Sequence, residues 1–261
     1  MTKNGTEREK QKPIQVLDRA LSILSIIAAR RQPISLHDIA VTAQLHPSTV
    51  HRLLWNLAEQ DYLQRDENGR WSLGLRFLHY GSLVRDRLDV REKALPLMHV
   101  LFEKTGQTIN LSMRHDDHVM YVEHVLASQN GLRLTRQIGS MAPLHCTSGG
   151  KLFLSEFSPE DVSAYIARSR LTPRTEYSIA SAERLIPELD RIRELGWADD
   201  KEELEHGIRC IGAPIRDHHG GIIAAITIVS SSDMSQKPEW VRHLLSTTAA
   251  VSASLGWLGQ H

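Results

Sequence analysis

The chain has few cysteines and no long apolar run, and each shortage excludes a class of protein. Two cysteines, Cys146 and Cys210, in 261 residues are too few for a disulfide scaffold. The longest apolar run, 222–229, has the length of a strand and is far short of the roughly 18 residues that a membrane-spanning helix needs. The polar N-terminus has no apolar signal-peptide core. We therefore expect a reduced, cytoplasmic protein of about two domains.

The chain also lacks a net charge, because 31 Lys and Arg balance 31 Asp and Glu. A balance of this kind at first argues against a protein that binds nucleic acid. The charge is not evenly distributed, however: residues 1–57 hold eight basic and four acidic residues, whereas residues 91–261 carry a net charge of −3. This asymmetry predicts a basic N-terminal head that binds an anion and a body with a different task.

The N-terminal segment has the pattern of three short helices followed by a hairpin. Apolar residues at Leu17, Ala20, Leu21, Leu24 and Ile27 predict an amphipathic helix over 14–31. A Ser-x-x-Asp pattern predicts the capped start of a second helix over 36–43, and a proline predicts the start of a third over 47–60. An Asn-Gly pair between two short strands then predicts a type I′ hairpin. Together these elements indicate a winged helix-turn-helix.

The third predicted helix has a polar face opposite its apolar one. The N-terminal end of a recognition helix enters the major groove, where Ser, Thr and Arg side chains can bind bases or phosphates. We therefore predict DNA contacts on the helix and wing at Pro47, Ser48, Thr49, His51, Arg52, Arg65 and Arg70. Arg19 and Arg31 are further candidates for phosphate contacts. The alternative is a small helical domain that touches no DNA, since this pattern also occurs in such domains.

Several motifs along the chain resemble those of the IclR family of bacterial transcriptional regulators. In the head they are Leu36-His-Asp-Ile-Ala40, Leu45-His-Pro-Ser-Thr-Val-His-Arg-Leu-Leu54 and Trp71-Ser-Leu-Gly-Leu-Arg76. In the body they are 143–151, 196–203 and 207–215. One departure is the proline, which stands one position later here, at Pro47, than in the family pattern.

The resemblance implies an α+β chain with two functional parts. It implies a tail at 1–12, an all-α winged helix-turn-helix with a β-hairpin wing at 13–75 and a linker helix at 76–92. Residues 93–261 would form a GAF-like effector-binding and oligomerisation domain with a mostly antiparallel sheet. The resemblance also implies a homodimer or dimer of dimers on a palindromic DNA operator, repression of a catabolic operon and a small organic acid as effector.

The patterns in the body agree with a sheet domain that contains helices. Alternating and apolar segments predict strands over 108–113, 119–125, 132–136, 208–216 and 222–229. Helical patterns cover 75–87, 90–104, 147–157, 159–169, 181–195 and 238–258. Pro96 is expected to bend or interrupt its helix. Strands in two groups around helices suit a mostly antiparallel sheet.

A predicted helix opening in the body favours an anion. The segment Cys146-Thr-Ser-Gly-Gly-Lys151 would present free N–H groups and a helix dipole, with the Ser148 hydroxyl as a further donor. The resemblance, carried over residue by residue, adds positions from three other segments. The resulting effector-binding set is Leu144, Ser148, Gly149, Gly150, Asp200, Cys210 and Thr227. Val229, where the family often has a small hydroxyl residue, suggests a more apolar ligand, and Arg133 and Arg136 are candidate carboxylate partners.

Other chemistries have less support in the sequence. No metal site is expected, because no Cys/His spacing of the structural zinc kind occurs, and no cofactor is expected, because no glycine-rich phosphate loop appears. An enzyme is disfavoured, because neither Cys146 nor Ser148 has a recognisable triad. A redox-responsive regulator that uses Cys146 and Cys210 stays open as an alternative, as does an enzyme with an accessory DNA-binding head.

Overall fold

The computed structural model describes residues 14–30, 32–85, 89–126, 137–232, 238–257 and 259. It divides the chain into a head that ends at Val84 and a body that begins at Arg85. The predicted tail over 1–12, the predicted strand over 132–136 with its two arginines, and Arg31 lie outside the described residues. No helix among the described residues is both long enough and apolar enough to cross a membrane.

The described part of the head contains four helices, the last of which ends one residue beyond Val84, and a two-stranded hairpin. They are α1 (Gln15–Ala29), α2 (Leu36–Ala43), α3 (Pro47–Glu59), β1 (Leu63–Arg65), β2 (Trp71–Leu73) and α4 (Arg76–Arg85). The predicted cap of α2 is confirmed, because the Ser35 Oγ accepts a hydrogen bond of 3.2 Å from the Asp38 N–H. The core contains buried side chains from α1, α2, α3 and the hairpin: Ile23, Ile27, Ile34, Ile39, Ala40, Val50, Leu53, Leu54, Leu63 and Trp71.

The predicted inner face of α1 was wrong in part. Leu17 and Leu21 are 52% and 53% exposed, whereas Ile23 and Ile27 are buried. The exposed pair and the buried pair each have the four-residue spacing of a helix, because α1 has apolar residues around more than half of its circumference. The periodicity identified the helix, but only the packing against α2 and β2 selects which row lies inside.

The hairpin turn also differs from the prediction. A type I′ turn needs positive φ at both central residues, but Asn68 is not among the residues with positive φ and Gly69 has φ +76°. The Gly69 N–H donates to the Asp66 carbonyl at 3.0 Å, and the Asp66 N–H donates to the Arg70 carbonyl at 2.9 Å. The loop is therefore a type I turn followed by a left-handed glycine, one residue longer than predicted.

In the part of the body that the structure describes, a six-stranded antiparallel sheet is covered by helices, as the predicted fold class requires. Its helices are α5 (Asp89–Thr105), α6 (Ser148–Ser155), α7 (Pro159–Ser169), α8 (Ala182–Leu195) and α9 (Pro238–Ser254). Its strands are β3 (Thr108–His115), β4 (His118–Val125), β5 (Met141–Pro143), β6 (Ala198–Lys201), β7 (Ile208–Arg216) and β8 (Ile222–Ser231). They are ordered β5-β4-β3-β8-β7-β6. The short edge strands β5 and β6 were not predicted.

The interruption expected at Pro96 does not occur, and α5 continues from Asp89 to Thr105. An internal proline removes one backbone hydrogen bond, but it leaves the apolar face of the helix intact. That face carries Ala94, Met98 and Leu101, which are fully buried in the core. Their burial against the sheet and α9 outweighs the local cost of the proline.

The two faces of the sheet pack against different helices. One face, with Ala224, Ile226 and Ile228 of β8, forms a core with α5 and α9. The opposite face packs against α6, which contacts strands β3, β4, β6, β7 and β8. Because successive strand residues point to opposite faces, Thr227 and Val229 belong to the α6 side. This side carries the candidate site in the body.

The core of the head gives a test with a matched pair on one helix. Ile39 of α2 is fully buried and Val41 is 64% exposed. We expect Ile39→Ala to cost the head about 2–5 kcal/mol of opening free energy, because it leaves a cavity. The Val41→Ala change should stay within about 0.5 kcal/mol. Hydrogen exchange of the backbone amides of the head, followed by mass spectrometry, measures the opening free energy of both variants. Equal losses of opening free energy in the two variants would contradict the assigned core.

Candidate functional site

The predicted DNA-contact residues on α3 lie together on one exposed face. Val50, Leu53 and Leu54 are buried, and the polar side of the N-terminal half is open to solvent. Ser48, His51 and Arg52 are exposed and Thr49 is half-buried. A helix that is anchored on one side and carries short polar groups and an arginine on the other has the form of a recognition helix.

The first turn of α3 is capped by a histidine. The His46 Nδ1 accepts a hydrogen bond of 3.3 Å from the Ser48 N–H and also lies 2.7 Å from the Ser48 Oγ. Pro47 occupies the first helical position, where its missing N–H costs nothing. His46 is therefore the N-cap residue of α3, and it orients the Ser48 hydroxyl.

The two wing arginines lie against the head. The Arg65 guanidinium lies 5.9 Å from the ring centre of Trp55 and 5.7 Å from that of Trp71. Its Nε donates to the Gly69 carbonyl at 3.3 Å. The Arg70 guanidinium donates to the Pro33 carbonyl at 3.4 Å. Trp55, which is 41% exposed, was not among the predicted contact residues, although a large exposed aromatic on the polar side of α3 was a visible signal.

Five of the seven predicted effector-binding residues line one cavity. Ser148 and Gly149 come from the start of α6, Asp200 from β6, Cys210 from β7 and Thr227 from β8. They meet because these three strands are neighbours in the sheet and α6 crosses their inner face. Residues far apart in sequence thus surround one space.

The other two predicted residues do not line the cavity. Leu144 lies in a short 3₁₀ turn, Leu144–Cys146, that precedes α6, and it is fully buried in the core. Gly150 packs against it, so that an added Cβ would lie 2.2 Å from the Leu144 carbonyl oxygen. Gly150 is therefore required for close packing of this turn. The helix itself starts at Ser148, after the Thr147 Oγ1 accepts a hydrogen bond from the Gly150 N–H.

Six cavity residues were not in the predicted set. They are Asn110, Ser112, Val119, Tyr121, Thr147 and Val229. The alternation of Asn110 and Ser112 with apolar residues resembles a strand with one face in water. In the structure both faces of β3 are covered, so these polar side chains point into the protein. A register shift after Leu111 places Tyr121 opposite Ser112 on the same face.

Four polar side chains of the cavity are buried without a protein partner. Asn110, Ser112, Ser148 and Thr227 are at most 7% exposed, and among the described residues none of their side chains has a hydrogen bond. None of their polar atoms is fully enclosed, so each borders the cavity and can be reached by a molecule inside it. Their convergence on one space therefore indicates a site that receives hydrogen bonds from a bound molecule.

The cavity is narrow in this structure. It leaves about 10 Å³ for the centre of a water molecule, which is room for about one water. Gly149 and Ser112 face each other closely across the cavity. A Cβ added to Gly149 would lie only 3.0 Å from the Ser112 Oγ. A molecule larger than water can therefore enter only if the lining side chains move. A compact ligand requires the smallest movement.

A buried ion pair holds the cavity wall in place. Lys151 of α6 is fully buried, and its Nζ lies 2.6 Å from the Glu203 Oε1 and 3.4 Å from the Glu188 Oε1. Burial disfavours the charged lysine, but the two carboxylates outweigh it and raise the Lys151 pKa. The Glu203 N–H in turn donates to the Asp200 Oδ1 at 2.7 Å. Lys151 thereby fixes the loop that orients a cavity carboxylate.

The two cysteines occupy different surroundings. Cys210 lines the cavity, whereas Cys146 is fully buried outside it. Burial raises the pKa of the Cys146 thiol to about 11, so the reactive thiolate is scarce near neutral pH. Both ring nitrogens of the neighbouring His145 already take part in hydrogen bonds. Its Nδ1 accepts from the Tyr165 hydroxyl at 2.7 Å, and its Nε2 donates to the Thr172 carbonyl at 3.2 Å. Burial lowers the His145 pKa.

Comparison with known families accounts for nearly all of the chain. The model described as "IclR helix-turn-helix domain" matches residues 16–67, and the one described as "Bacterial transcriptional regulator IclR C-terminal" matches residues 83–253. Among relatives, the DNA-binding transcriptional repressor YiaJ of Escherichia coli is 32% identical over 262 residues, which cover 97% of this chain and 93% of YiaJ. These descriptions are those of transcriptional regulators.

Solved structures share the same architecture. The crystal structure of the Thermotoga maritima IclR superposes with a TM-score of 0.73 at 28% identity and covers 94% of this chain and all of that one. An IclR homologue from Microbacterium hydrocarbonoxydans complexed with 4-hydroxybenzoate superposes with a TM-score of 0.80. At 22% identity, with 92% of this chain and 98% of that chain covered, the latter likeness concerns the fold alone.

The buried ion pair gives a test of the cavity wall. We expect Lys151→Met to lower the free energy of unfolding of the body by about 3–5 kcal/mol, because Glu203 is left as an uncompensated buried charge. Adding Glu203→Gln should recover part of this loss, since both charges are then gone. Lys201→Met is the control, because its side chain is 65% exposed and its partner Asp199 keeps a second ion pair with Arg191; it should cost under about 1 kcal/mol. Urea unfolding at neutral pH measures these three variants and Glu203→Gln alone, and if the effects of the two single changes simply add in the double variant, the coupling is refuted.

Proposed function

The chain belongs to the IclR family of bacterial transcriptional regulators, and from this premise we propose that it represses a catabolic operon in response to a small organic acid. It is a DNA-binding regulator with its helix-turn-helix in the head. The observation that carries the proposal is the exposed polar face of α3, which is anchored by Val50, Leu53 and Leu54. We place the protein in the cytoplasm, where bacterial DNA lies.

In this proposal, Ser48, Thr49, His51 and Arg52 contact base edges in the major groove, and Pro47 sets the start of the helix. Arg52 is exposed and has the forked guanidinium that binds the O6 and N7 atoms of guanine. Arg65 and Arg70 of the wing, together with Arg19, contact phosphates. The two wing arginines leave their intramolecular partners, or share them, when a phosphate arrives.

A dimer explains the exposed apolar residues of the head. At α1 and its N-cap these are Ile14, Val16, Leu17 and Leu21, and at α4 they are Leu75, Leu78 and Leu83, each at least 45% exposed. Such a concentration of exposed apolar side chains is typical of a surface covered by a partner. We propose that a second copy covers it, so that two heads bind a palindromic operator as a dimer or dimer of dimers, with half-sites about 10 base pairs or a multiple apart.

The effector site in this proposal is the cavity under α6. The N–H groups of Ser148 and Gly149, at the positive end of the helix dipole, suit a carboxylate. The unpartnered side chains of Asn110, Ser112 and Thr227 suit hydroxyl or keto groups on the same ligand. The homologue complexed with 4-hydroxybenzoate shows that a protein of this fold can hold a small acid. Effector binding would shift the population between two arrangements of the heads through the linker.

The two alternative functions have weaker support. A redox regulator needs a reactive thiol, but the raised pKa of Cys146 keeps its thiol protonated. An enzyme at Cys146 needs a free base, but both ring nitrogens of His145 are engaged in hydrogen bonds. The relatives are described as regulators. We therefore favour binding without turnover.

The DNA-binding proposal is tested by removing one arginine. We expect Arg52→Ala to weaken binding about 10- to 100-fold, because a bidentate base contact is lost, while the fold stays intact. The probe is a duplex enriched by the wild-type protein from a randomised library, and gel shift measures the affinity. Arg193→Ala in the body, an exposed arginine, is the control. Unchanged affinity and sequence preference in Arg52→Ala would refute the assigned face.

The effector proposal is tested by removing one unpartnered hydroxyl. Thermal-shift measurements with panels of hydroxy acids, sugar acids, keto acids and aromatic acids identify a stabilising compound. Ser148→Ala should then bind that compound about 2- to 10-fold more weakly, while the apo protein keeps its melting temperature, since no described residue loses a hydrogen bond. Ser163→Ala on α7, whose hydroxyl is exposed, is the control. Equal shifts for the wild type and Ser148→Ala would place the ligand elsewhere.

A further inference from the structure

We infer that Trp55 is a positioning residue that holds His51 as a hydrogen-bond donor toward DNA, so that His51 disfavours cytosine at one position of each half-site. This inference rests on the proposed function, in which α3 is the recognition helix. The two side chains are four residues apart on α3 and therefore lie on the same side of the helix. Their contact decides which nitrogen of the imidazole carries the proton.

The hydrogen bond between the two rings fixes where that proton lies. The Trp55 Nε1 lies 2.9 Å from the His51 Nε2. An indole N–H can only donate, so the His51 Nε2 must accept with its lone pair. A neutral imidazole carries one proton, which therefore resides on Nδ1. Within the described part of the chain, no protein group bonds to Nδ1, and His51 is exposed. The ring therefore offers one N–H donor to an outside molecule.

The indole is itself held in place by the wing. The Trp55 ring meets the Trp71 ring edge to face, with centroids 5.7 Å apart and planes at 88°. The Arg65 guanidinium lies near both rings, at 5.9 and 5.7 Å from their centres. Trp71 is buried and exchanges two backbone hydrogen bonds with Ile34. Trp55 thus connects the recognition helix to the fixed part of the wing, which limits rotation of its donor.

Because the His51 Nδ1–H can only donate a hydrogen bond, it distinguishes the bases by the groups that they present in the major groove. Adenine and guanine present the N7 acceptor there, guanine also presents O6, and thymine presents O4. Cytosine presents its N4 amino group, which is a donor. A His51 that can only donate meets a second donor at cytosine, whereas an imidazole free to change tautomer could accept from it. Trp55 would therefore set the base preference without touching DNA.

The first experiment reads the position of the proton in the full-length free protein. Long-range ¹H–¹⁵N correlation spectra of the imidazoles, assigned with His51→Ala, should show His51 protonated at Nδ1 and unprotonated at Nε2. In Trp55→Phe, which keeps an aromatic ring against Trp71 but removes the N–H, the proton should redistribute over both nitrogens. Trp197→Phe in the body is the matched control and should leave the His51 signals unchanged. A wild-type His51 protonated at Nε2, or a Trp55→Phe variant with an unchanged tautomer, overturns the inference.

The second experiment reads base preference. Each protein selects duplexes from a library with a randomised core of about three helical turns, and the enriched pools are sequenced. The wild type should disfavour cytosine at one position of each half-site. Trp55→Phe and His51→Ala should relax that preference about 2- to 10-fold, the worth of one neutral hydrogen bond, and Trp197→Phe should not. If Trp55→Phe destabilises the head, His51→Ala still tests the base preference, because His51 is exposed and its replacement leaves the core of the head unchanged.

The outcomes separate this inference from the function on which it rests. If the wild type enriches no sequence at all, the proposed DNA-binding function fails, and this inference fails with it. If the wild type enriches a sequence but the profiles of Trp55→Phe and His51→Ala match it at every position, only the inference is overturned. That second result would mean that the His51 N–H reads no base, since a contact with a phosphate carries no sequence information directly.

Discussion

The body depends on one buried ion pair that joins its helical layer to its sheet. Lys151 projects from α6 and its ammonium meets Glu203, which lies just after the edge strand β6. A charge that is fully buried can be tolerated only with such a partner, because desolvation alone would neutralise it. The pair therefore specifies one position of α6 above the sheet, and with it the placement of Ser148 and Gly149. The hydrogen bond from the Glu203 N–H extends the same constraint to Asp200, so the cavity and the ion pair form one unit.

The cavity has its polar character for a related reason. A sheet covered on both faces has no side for water, and most of its inward residues are apolar. Asn110, Ser112 and Thr227 break that rule on neighbouring strands, directly beneath the start of α6. Their polar groups face the cavity without a protein partner in the free state, and a bound acid would supply hydrogen bonds to them.

The head follows a different principle, in which an aromatic cluster connects two surfaces that face outward. Trp71 belongs to the core, Trp55 stands on its edge, and Arg65 and His51 contact Trp55 from the wing and the helix. The position of the wing and the chemistry of the recognition face are therefore coupled. The exposed apolar residues of α1, such as Leu17, have no such partner within the described head, which is why we assign them to a second copy.

The sequence by itself determined most of the longer elements and the kind of protein, because these depend on local signals. Periodicity located α2, α3, β3, β7 and β8, the Ser35 cap was read correctly, and the ordered motifs identified the family. Only the tertiary structure decided which face of α1 lies inside, that α5 passes through Pro96, and that the hairpin contains a type I turn. It also decided that Gly150 serves packing and that Asn110 and Ser112 face a cavity. These properties depend on what lies across from each residue, and that neighbour comes from elsewhere in the chain.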